Sequence, residues 1–245
     1  MNIILFEEEK IPNKIALSDT RAKHLIKILK LKIGDNFKCG LVNGPSGVCT
    51  VQSIESNCLY FTWAKSKDFV PLYPLTLLIG FTRPISSKRI LREAASLGVE
   101  KMVFVGTNTG EKSYRDSTLW KGEYKQYLID GAQQAASTGL PEIIFYKDLP
   151  DFFAKSTGSN INTGNLPTDM IVLDNILPNI KLSEYNPDNT SCLLAIGSER
   201  GWSERERTLF RRNNFIFASL GTRVLRTETA STAGITLLLS RMGII

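Results

Sequence analysis

Two stretches near the end of the chain combine glycines with closely spaced charged residues. The first, AIGSERGWSERE, runs from Ala195 to Glu206, and the second, SLGTRVLRTETA, runs from Ser219 to Ala230. Each follows an apolar run that predicts a strand, so its glycines can turn the backbone sharply and bring main-chain groups close to a bound molecule. Ser203 is predicted to cap a helix that begins near Glu204. Ordinary strand-to-helix turns with such capping residues are the alternative interpretation of either stretch taken alone.

The composition gives little support for a catalytic triad, a metal site or a redox-active cysteine pair. The chain of 245 residues has one histidine, His24, which gives a catalytic triad or a multi-histidine metal site little to build on. Its four cysteines are too widely spaced for a metal or redox pair, and we expect them to be small buried residues. They are Cys39, Cys49, Cys58 and Cys192. We therefore expect no metal, and the sequence also has no phosphate-binding loop of the GxxxxGK[ST] type.

The elements that must position the two stretches follow an α/β rhythm. From residue 73 onward, apolar runs without polar alternation are separated by longer amphipathic segments. Such strands are typical of a parallel sheet covered on both faces, in which ligands bind at the carboxyl ends of the strands. The loops after the runs MIVLD, CLLAI and FIFAS are therefore the candidate ligand loops. Residues 156–168 are predicted to be a mobile surface insertion.

The first seventy residues have a different pattern, with short β-like runs separated by turn residues. This pattern predicts a small barrel. Residues 19–35 are predicted to include a helix with Ala22, Leu25, Ile26 and Leu29 on its apolar face. Five cations without an intervening carboxylate lie on it, and they indicate either a solvated face or a polyanion-binding patch, as does the net charge of +6. They are Arg21, Lys23, Lys27, Lys30 and Lys32.

Nothing in the sequence indicates a membrane protein. No apolar run approaches the length of about 18 residues that a membrane-spanning helix needs, and the N-terminal MNIILFEEEK does not have the pattern of a signal peptide. We therefore expect a cytoplasmic protein without a membrane partner.

Five motifs together resemble one known family. They are LGTRVLRTETA, IGSERGWSERE, ASLGV at residues 95–99, AQQA followed by LPEI at residues 132–143, and HLIKILKLKIGD at residues 24–35. In this order they are similar to the RsmE family, the 16S rRNA (uracil-N3)-methyltransferases of the SPOUT superfamily. The resemblance covers nearly the whole chain.

The resemblance implies an architecture that the pattern alone does not give. It implies a PUA-like β-barrel RNA-binding domain over residues 1–72 and an α/β SPOUT methyltransferase domain with a C-terminal trefoil knot over residues 73–245. It also implies a homodimer that acts on 16S rRNA of the small ribosomal subunit. The implied cofactor is S-adenosyl-L-methionine, which donates a methyl group to N3 of a specific uridine.

The resemblance further assigns candidate site residues. The implied cofactor-binding residues lie on the three candidate loops: Leu173, Ile196, Gly197, Glu199, Gly201, Leu220, Gly221, Leu225 and Thr229. For catalysis, Arg223 or Arg226 would stabilise an anionic uracil, and Glu228 would accept the N3 proton, although a glutamate is also favoured at a helix N-terminus. The candidate RNA-binding residues are Arg21, Lys23, His24, Lys27, Lys30, Lys88, Arg89 and Arg92.

The sequence departs from the family pattern at several positions. The glycine-proline-glutamate-glycine-glycine loop is here Gly197 to Gly201 with Ser198 and Arg200 replacing proline and glycine, so Arg200 could crowd the loop or add a cationic contact. The usual lysine and glutamate before LGV are Arg92 and Ser96, the arginine expected before LPEI is Ser137, and Lys30 stands where arginine is more usual. A ribose 2'-O-methyltransferase and a non-catalytic RNA-binding or assembly factor therefore remain alternative hypotheses.

Overall fold

The computed structural model describes residues 2–156, 166–188 and 190–245. The chain divides into two compact units, of which the first comprises Met1–Pro71 with Ile129–Leu140 and the second comprises Leu72–Leu128 with Pro141–Ile245. The two-domain interpretation with its functional labels stays a prediction. Residues 157–165 of the predicted surface insertion lie outside the described part of the chain.

The first unit is built on a five-stranded sheet. Its elements are β1 (Ile4–Phe6), β2 (Lys14–Ala16), α1 (Thr20–Lys23), β3 (Asn36–Leu41), β4 (Ser46–Glu55) and β5 (Cys58–Lys67). The strand order is β1-β3-β4-β5-β2, with β1 parallel to β3 and the other neighbours antiparallel. The core is apolar, with Phe6, Phe37 and Phe61 packed beside the buried Cys39 and Cys49.

The predicted basic helix is shorter than its sequence pattern suggests. Asp19 caps α1 by accepting a hydrogen bond from the Arg21 backbone N–H at 2.8 Å, and the chain continues as a single wide π-turn over residues 24–28. Lys30 then adopts a left-handed backbone with φ of 56°, which cannot continue a helix. Leu25 is fully buried as predicted, but Leu29 is 46% exposed because it follows the end of this turn.

The second unit contains the parallel sheet that the apolar runs predict. Its elements are β6 (Tyr73–Gly80), α2 (Pro84–Ser96), β7 (Val99–Val105), α3 (Tyr124–Gln134, which ends in residues assigned to the first unit), β8 (Glu142–Tyr146), α4 (Leu149–Ser156), β9 (Asp169–Leu173), β10 (Ile180–Lys181), β11 (Cys192–Ile196), α5 (Glu204–Arg212), β12 (Ile216–Ser219) and α6 (Thr227–Arg241). The order β10-β12-β9-β11-β6-β7-β8 is parallel throughout. The predicted α/β class with a parallel sheet is therefore confirmed.

The order of the strands in this sheet differs from their order in the chain. β11 lies between β9 and β6, although both of those strands precede it in sequence, and β12 lies between β9 and β10 in the same way. The carboxyl ends of β9, β11 and β12 consequently meet at one edge of the sheet. This arrangement gathers the three loops that the sequence singles out.

Helices cover both faces of the sheet. On one face, Phe152 of α4 and Phe210 of α5 pack in a cluster with Val172, Leu193 and other strand residues. On the other face, α2 packs against α6, and a Cβ at Gly234 of α6 would lie 3.1 Å from Leu173 Cδ1 and from Leu194 Cδ2. Glycine at position 234 therefore lets α6 approach the strand ends closely.

Replacing Phe210 with alanine should test the core beneath α5. The Phe210 ring is fully buried, with ring centroids of Trp202 and Phe215 at 4.7 and 4.8 Å. We expect a loss of about 3–5 kcal/mol in the free energy of unfolding, measured by urea denaturation, because the cavity cannot close fully. The control is Ile85→Ala, which changes a side chain that is 64% exposed and should cost less than about 0.5 kcal/mol.

Candidate functional site

A cleft of about 340 Å³ lies at the carboxyl ends of β9, β11 and β12. We call it the C-terminal cleft. The loops after all three strands line it, together with the start of α6. The sequence-predicted residues on its wall are Leu173, Ile196, Gly197, Glu199, Gly201, Leu220, Arg223 and Leu225. Four other predicted residues do not line it: Gly221, Arg226, Glu228 and Thr229.

The loop of residues 197–201 forms a tight turn against the cleft. The Gly201 N–H donates a hydrogen bond to the Ser198 carbonyl at 2.8 Å, and Gly201 has a φ of +66°. A Cβ at Gly197 would lie 2.8 Å from Gly201 Cα, closer than a side chain can approach backbone without displacing it. The two glycines therefore let the chain fold back on itself, as the sequence predicts.

Neighbouring elements hold this turn in place through hydrogen bonds. Thr107 Oγ1 donates to Ser198 Oγ at 3.1 Å, and Thr109 Oγ1 donates to the Gly201 carbonyl at 2.8 Å. The Glu199 carboxylate accepts from the Arg83 backbone N–H at 2.8 Å, at the N-terminus of α2, where a negative charge is favourable. The loop is thus fixed at three points by residues that follow β6 and β7.

Arg200, the departure from the family pattern, lies on the outer side of this loop. Its side chain is 72% exposed, and its Nη2 lies 3.7 Å from Glu111 Oε1. An ion pair this exposed contributes little to stability. Arg200 therefore adds a cation to the rim of the C-terminal cleft, which corresponds to the second of its two predicted roles.

A capping box starts α5 directly after the loop. The Glu206 carboxylate accepts hydrogen bonds from the Ser203 N–H at 2.7 Å and from the Asn108 N–H at 2.8 Å, while Ser203 Oγ accepts from the Glu206 N–H at 3.3 Å. The predicted capping role of Ser203 is confirmed. Because Glu206 is buried, these bonds compensate for its desolvation and fix the start of α5 to the loop after β7.

A buried ion pair joins the loop after β9 to α5. Arg207 Nε donates to Asp174 Oδ2 at 2.7 Å, with side-chain exposures of 9% and 3%. Asp174 Oδ1 also accepts from the Ile176 N–H at 2.6 Å, so the carboxylate holds its own loop in a turn. Both residues line the C-terminal cleft. The pair therefore fixes the loop after β9 and the start of α5 on the same wall of the cleft.

The loop after β12 and the start of α6 form the remaining side of the cleft. Gly221 has a φ of 113°, which glycine alone adopts without strain, and it directs the chain so that Arg223 reaches the cleft. Glu228, in the first turn of α6, lies outside the cleft lining, and its Oε1 is 3.7 Å from Arg89 Nη1 of α2. Arg223 therefore lines the cleft, whereas Glu228 does not.

The predicted RNA-binding cations of the second unit lie together on α2. Lys88 Nζ and the Arg92 guanidinium lie 5.2 and 5.5 Å from the centre of the Tyr127 ring. A hydrogen bond to the Tyr127 hydroxyl raises the pKa of Lys88, so that this side chain stays charged. Together with Arg89, they form a cationic patch on one helix.

The predicted RNA-binding residues of the first unit differ in their exposure and in their contacts with other protein groups. The Arg21 guanidinium lies 2.9 Å from Asp19 Oδ2 and 3.5 Å from Glu8 Oε1, and it stacks over the Phe6 ring at 4.6 Å. His24 has its Nε2 buried without a hydrogen-bond partner among the described residues. Lys23, Lys27 and Lys30 are exposed. The lysines are therefore better placed than Arg21 to contact a polyanion.

Several cleft residues were not predicted from the sequence. They are Asp174, Asn175, Ile176, Trp202, Arg207, Val224, Thr227 and Ala230. Most of them lie within the three predicted loops, so the loops themselves were the available signal. Arg207 gave no such signal, because it lies on a helix that begins after its loop, and its partner Asp174 is 33 residues away in sequence.

Among the described residues, the four cysteines and the other possible metal ligands form no metal site. No group of three or more histidine, cysteine, aspartate or glutamate side chains is close enough to hold an ion. Burial and the nearby Asp169 raise the pKa of Cys192 to about 12, which makes its thiol unreactive at neutral pH. Among the residues that the structure describes, no helix is long and apolar enough to cross a membrane.

Comparison with known proteins gives the class to which this fold and cleft belong. A family described as an RNA methyltransferase domain matches residues 70–239, which include all seven strands of the parallel sheet and most of α6. The ribosomal RNA small subunit methyltransferase E of Treponema pallidum is 38% identical over 98% of this chain and 91% of its own length. The corresponding protein 1 of Borreliella burgdorferi is 35% identical, over 95% of each chain.

This chain belongs to the ribosomal RNA small subunit methyltransferase E (RsmE) family, and the resemblance seen in its motifs is confirmed. Solved structures share the fold. A ribosomal RNA small subunit methyltransferase E from Neisseria gonorrhoeae bound to S-adenosyl methionine has a TM-score of 0.75 at 18% identity, covering 98% of this chain and 97% of its own. A Legionella pneumophila methyltransferase in complex with the same cofactor has a TM-score of 0.77 at 18% identity, with the same coverage.

Removing the Asp174 carboxylate should test the buried pair. Asp174→Ala leaves the buried Arg207 guanidinium with only the exposed Glu204 carboxylate at 3.7 Å, and we expect a loss of about 3 kcal/mol in the free energy of unfolding. The control is Glu184→Ala, which breaks the exposed Lys181–Glu184 pair and should cost less than about 1 kcal/mol. Urea denaturation measures both, and equal losses would contradict a special role for the buried pair.

Proposed function

We propose that this protein uses S-adenosyl-L-methionine to methylate N3 of a specific uridine in 16S rRNA of the small ribosomal subunit. The observation that carries the proposal is the C-terminal cleft, which is lined by the loops at three adjacent strand ends, two of which turn at glycines. The family of the chain supports the reaction type, because its relatives are named as small-subunit ribosomal RNA methyltransferases. Two structures of the same fold contain the proposed cofactor.

The residues of the C-terminal cleft fit such a cofactor. Its volume of about 340 Å³ is in the range of about 300–1,000 Å³ common for small-molecule sites. Trp202 lines the cleft, and its indole packs against the buried Phe210 with a ring-centroid distance of 4.7 Å. We propose that Leu173, Ile196, Gly197, Glu199, Gly201, Leu220 and Leu225 hold the cofactor, with Gly221 shaping the third loop and Thr229 at the start of α6.

The chemistry of the substrate defines what the protein groups must do. S-adenosyl-L-methionine, when bound, supplies an electrophilic methyl group. The uracil N3 is a poor nucleophile until it loses its proton, so the site must stabilise an anionic base and accept that proton. We propose that Arg223, which is exposed on the cleft wall, stabilises the negative uracil oxygen, with Arg226 as the neighbouring alternative. Glu228 is the proposed proton acceptor.

The architecture that the family implies belongs to the same proposal. The insertion of β11 and β12 between earlier strands is compatible with a C-terminal trefoil knot, and the first unit, with its mixed five-stranded sheet, is compatible with a PUA-like RNA-binding domain. We propose domains over residues 1–72 and 73–245, a homodimeric assembly and a cytoplasmic location. The partner is the small ribosomal subunit or its 16S rRNA.

Candidate RNA contacts lie in both units. In the first unit they are Lys23, Lys27 and Lys30, together with Arg21, which is paired with Asp19, and His24, whose Nε2 is buried. In the second unit they are the α2 cations Lys88, Arg89 and Arg92. Phosphate contacts of this kind would orient the RNA without reading its sequence.

Product analysis tests the proposed function directly. Purified protein, S-adenosyl-L-methionine and small-subunit ribosomal RNA should yield N3-methyluridine in nucleoside mass spectrometry. Gly197→Ala should abolish most of the product, because its new methyl group would displace the backbone at Gly201 and distort the cofactor loop. Formation of 2'-O-methyluridine would instead favour a ribose methyltransferase, and a protein that binds RNA but not the cofactor would favour a non-catalytic factor.

The role of Glu228 can be separated from its pairing with Arg89. If Glu228 accepts the proton, Glu228→Gln should lower the single-turnover rate by at least about 100-fold while the cofactor Kd stays unchanged. Arg89→Ala removes the partner but keeps the carboxylate, so its single-turnover rate at saturating RNA should stay within a few-fold of wild type. Equal small effects of both substitutions would assign Glu228 a structural role only.

A further inference from the structure

A second cleft, of about 670 Å³, lies at the carboxyl ends of β6, β7 and β8. We call it the β6–β8 cleft. Phe81 follows β6, the loop of residues 106–116 follows β7, and Lys147 follows β8, and all three contribute to its walls. None of the residues assigned above to cofactor or RNA binding lines this cleft.

The cations of the β6–β8 cleft are available to a ligand. Lys112, Arg115 and Lys147 are exposed, and none of the three forms an ion pair with another residue in the described part of the chain. Two of the three carboxylates on the wall are already engaged, because Asp148 Oδ1 accepts from the Asp151 N–H at 2.9 Å and Glu111 pairs with Arg200. Asp116 is the third. Because a hydrogen bond from a backbone N–H leaves the charge of Asp148 in place, the wall carries three cations and two carboxylates, Asp116 and Asp148, that form no ion pair among the described residues.

Phe81 gives this cleft an apolar floor. Its ring packs edge-on against Trp120, with centroids 5.4 Å apart, and lies 5.8 Å from the ring of Phe104. These rings leave Phe81 only 4% exposed, so little of it is open to a ligand. The groups of this cleft that match an RNA strand are therefore its cations, through the phosphates.

The two clefts share a wall. The loop of residues 106–116 contacts the loop of residues 197–201 through the Thr107–Ser198 and Thr109–Gly201 hydrogen bonds. It also contacts the start of α2, where Arg83 Nε donates to the Tyr114 hydroxyl at 3.2 Å. An RNA strand in the β6–β8 cleft would therefore lie next to the C-terminal cleft, separated from it only by these loops.

We infer that the β6–β8 cleft binds the RNA nucleotides that flank the target uridine. Lys112, Arg115 and Lys147 contact their phosphodiester groups. The inference rests on the proposed function, because it takes the RNA substrate as the occupant. It states that these three cations, which are not among the RNA-binding residues assigned above, contribute to RNA affinity.

The test compares RNA binding by two matched variants. One is the triple substitution Lys112→Ala, Arg115→Ala and Lys147→Ala. The other is Arg212→Ala, which removes an exposed cation without an ion pair among the described residues and outside both clefts. The probe is a fluorescently labelled 16S rRNA fragment that contains the modified uridine, and fluorescence anisotropy gives its Kd at several salt concentrations.

The triple variant should bind the fragment roughly tenfold or more weakly, and its slope of log Kd against log salt should fall by about 2, since three contacts to single-stranded phosphates are lost. Arg212→Ala should retain the wild-type Kd and slope. Calorimetric titration with S-adenosyl-L-methionine should give the same Kd for all proteins, which shows that the C-terminal cleft is intact.

Unchanged RNA affinity and salt slope in the triple variant would overturn the inference. If the wild type still methylates the RNA in that case, the proposed function stands without this cleft. A wild-type protein that binds neither RNA nor cofactor would overturn both. The charge reversal Lys112→Glu with Lys147→Glu provides a second variant, for which a larger loss of affinity than in the triple alanine variant is expected.

Discussion

The site depends on one topological constraint, the placement of β11 and β12 on either side of β9. Parallel strands place their carboxyl ends at the same edge, so three loops separated by some twenty residues each in sequence converge there. The contacts at this edge then fix the loops relative to one another. Asp174 and Arg207 join the first loop to α5, and the capping box of Ser203 and Glu206 joins α5 to the second loop.

The cleft is rigid because its polar groups are satisfied within the protein. Ser198 and Glu199 each have partners from other elements, as does the buried Glu206. A buried polar group that lost its partner would cost about 1–3 kcal/mol, so these bonds hold the loop in a single arrangement. The Nε1–H of Trp202 is an exception, because it is buried without an acceptor among the described residues.

Much of this arrangement could be predicted from the sequence, because the deciding signals were local. Unalternating apolar runs gave the parallel strands, and the run EIIFY coincides with β8. Ser203 before a charged segment gave the start of α5. The glycines at 197, 201 and 221 indicated sharp turns, and at 201 and 221 the positive φ values explain why. The resemblance to the RsmE family then indicated the reaction that these elements would serve.

The remaining features depend on contacts between distant residues. Neither the pairing of Asp174 with Arg207 nor that of Glu206 with Asn108 has a signature in sequence spacing. The short strands β2 and β10 contain three and two residues, too few to produce a periodic pattern. The exposure of Leu29 was not predicted, because it depends on the left-handed backbone at Lys30. A lysine in the sequence does not indicate that conformation. The β6–β8 cleft is likewise assembled from three separate loops.

The close packing of α6 against the sheet at Gly234 also has an electrostatic consequence. Because Gly234 lies against Leu173 and Leu194, the helix axis runs near the sheet, and its first residues, including Thr227 and Ala230, reach the cleft wall. The N-terminal end of a helix carries the equivalent of about half a positive elementary charge. The peptide dipoles of α6 thus give this end of the cleft a standing positive potential that does not depend on any ionisable side chain.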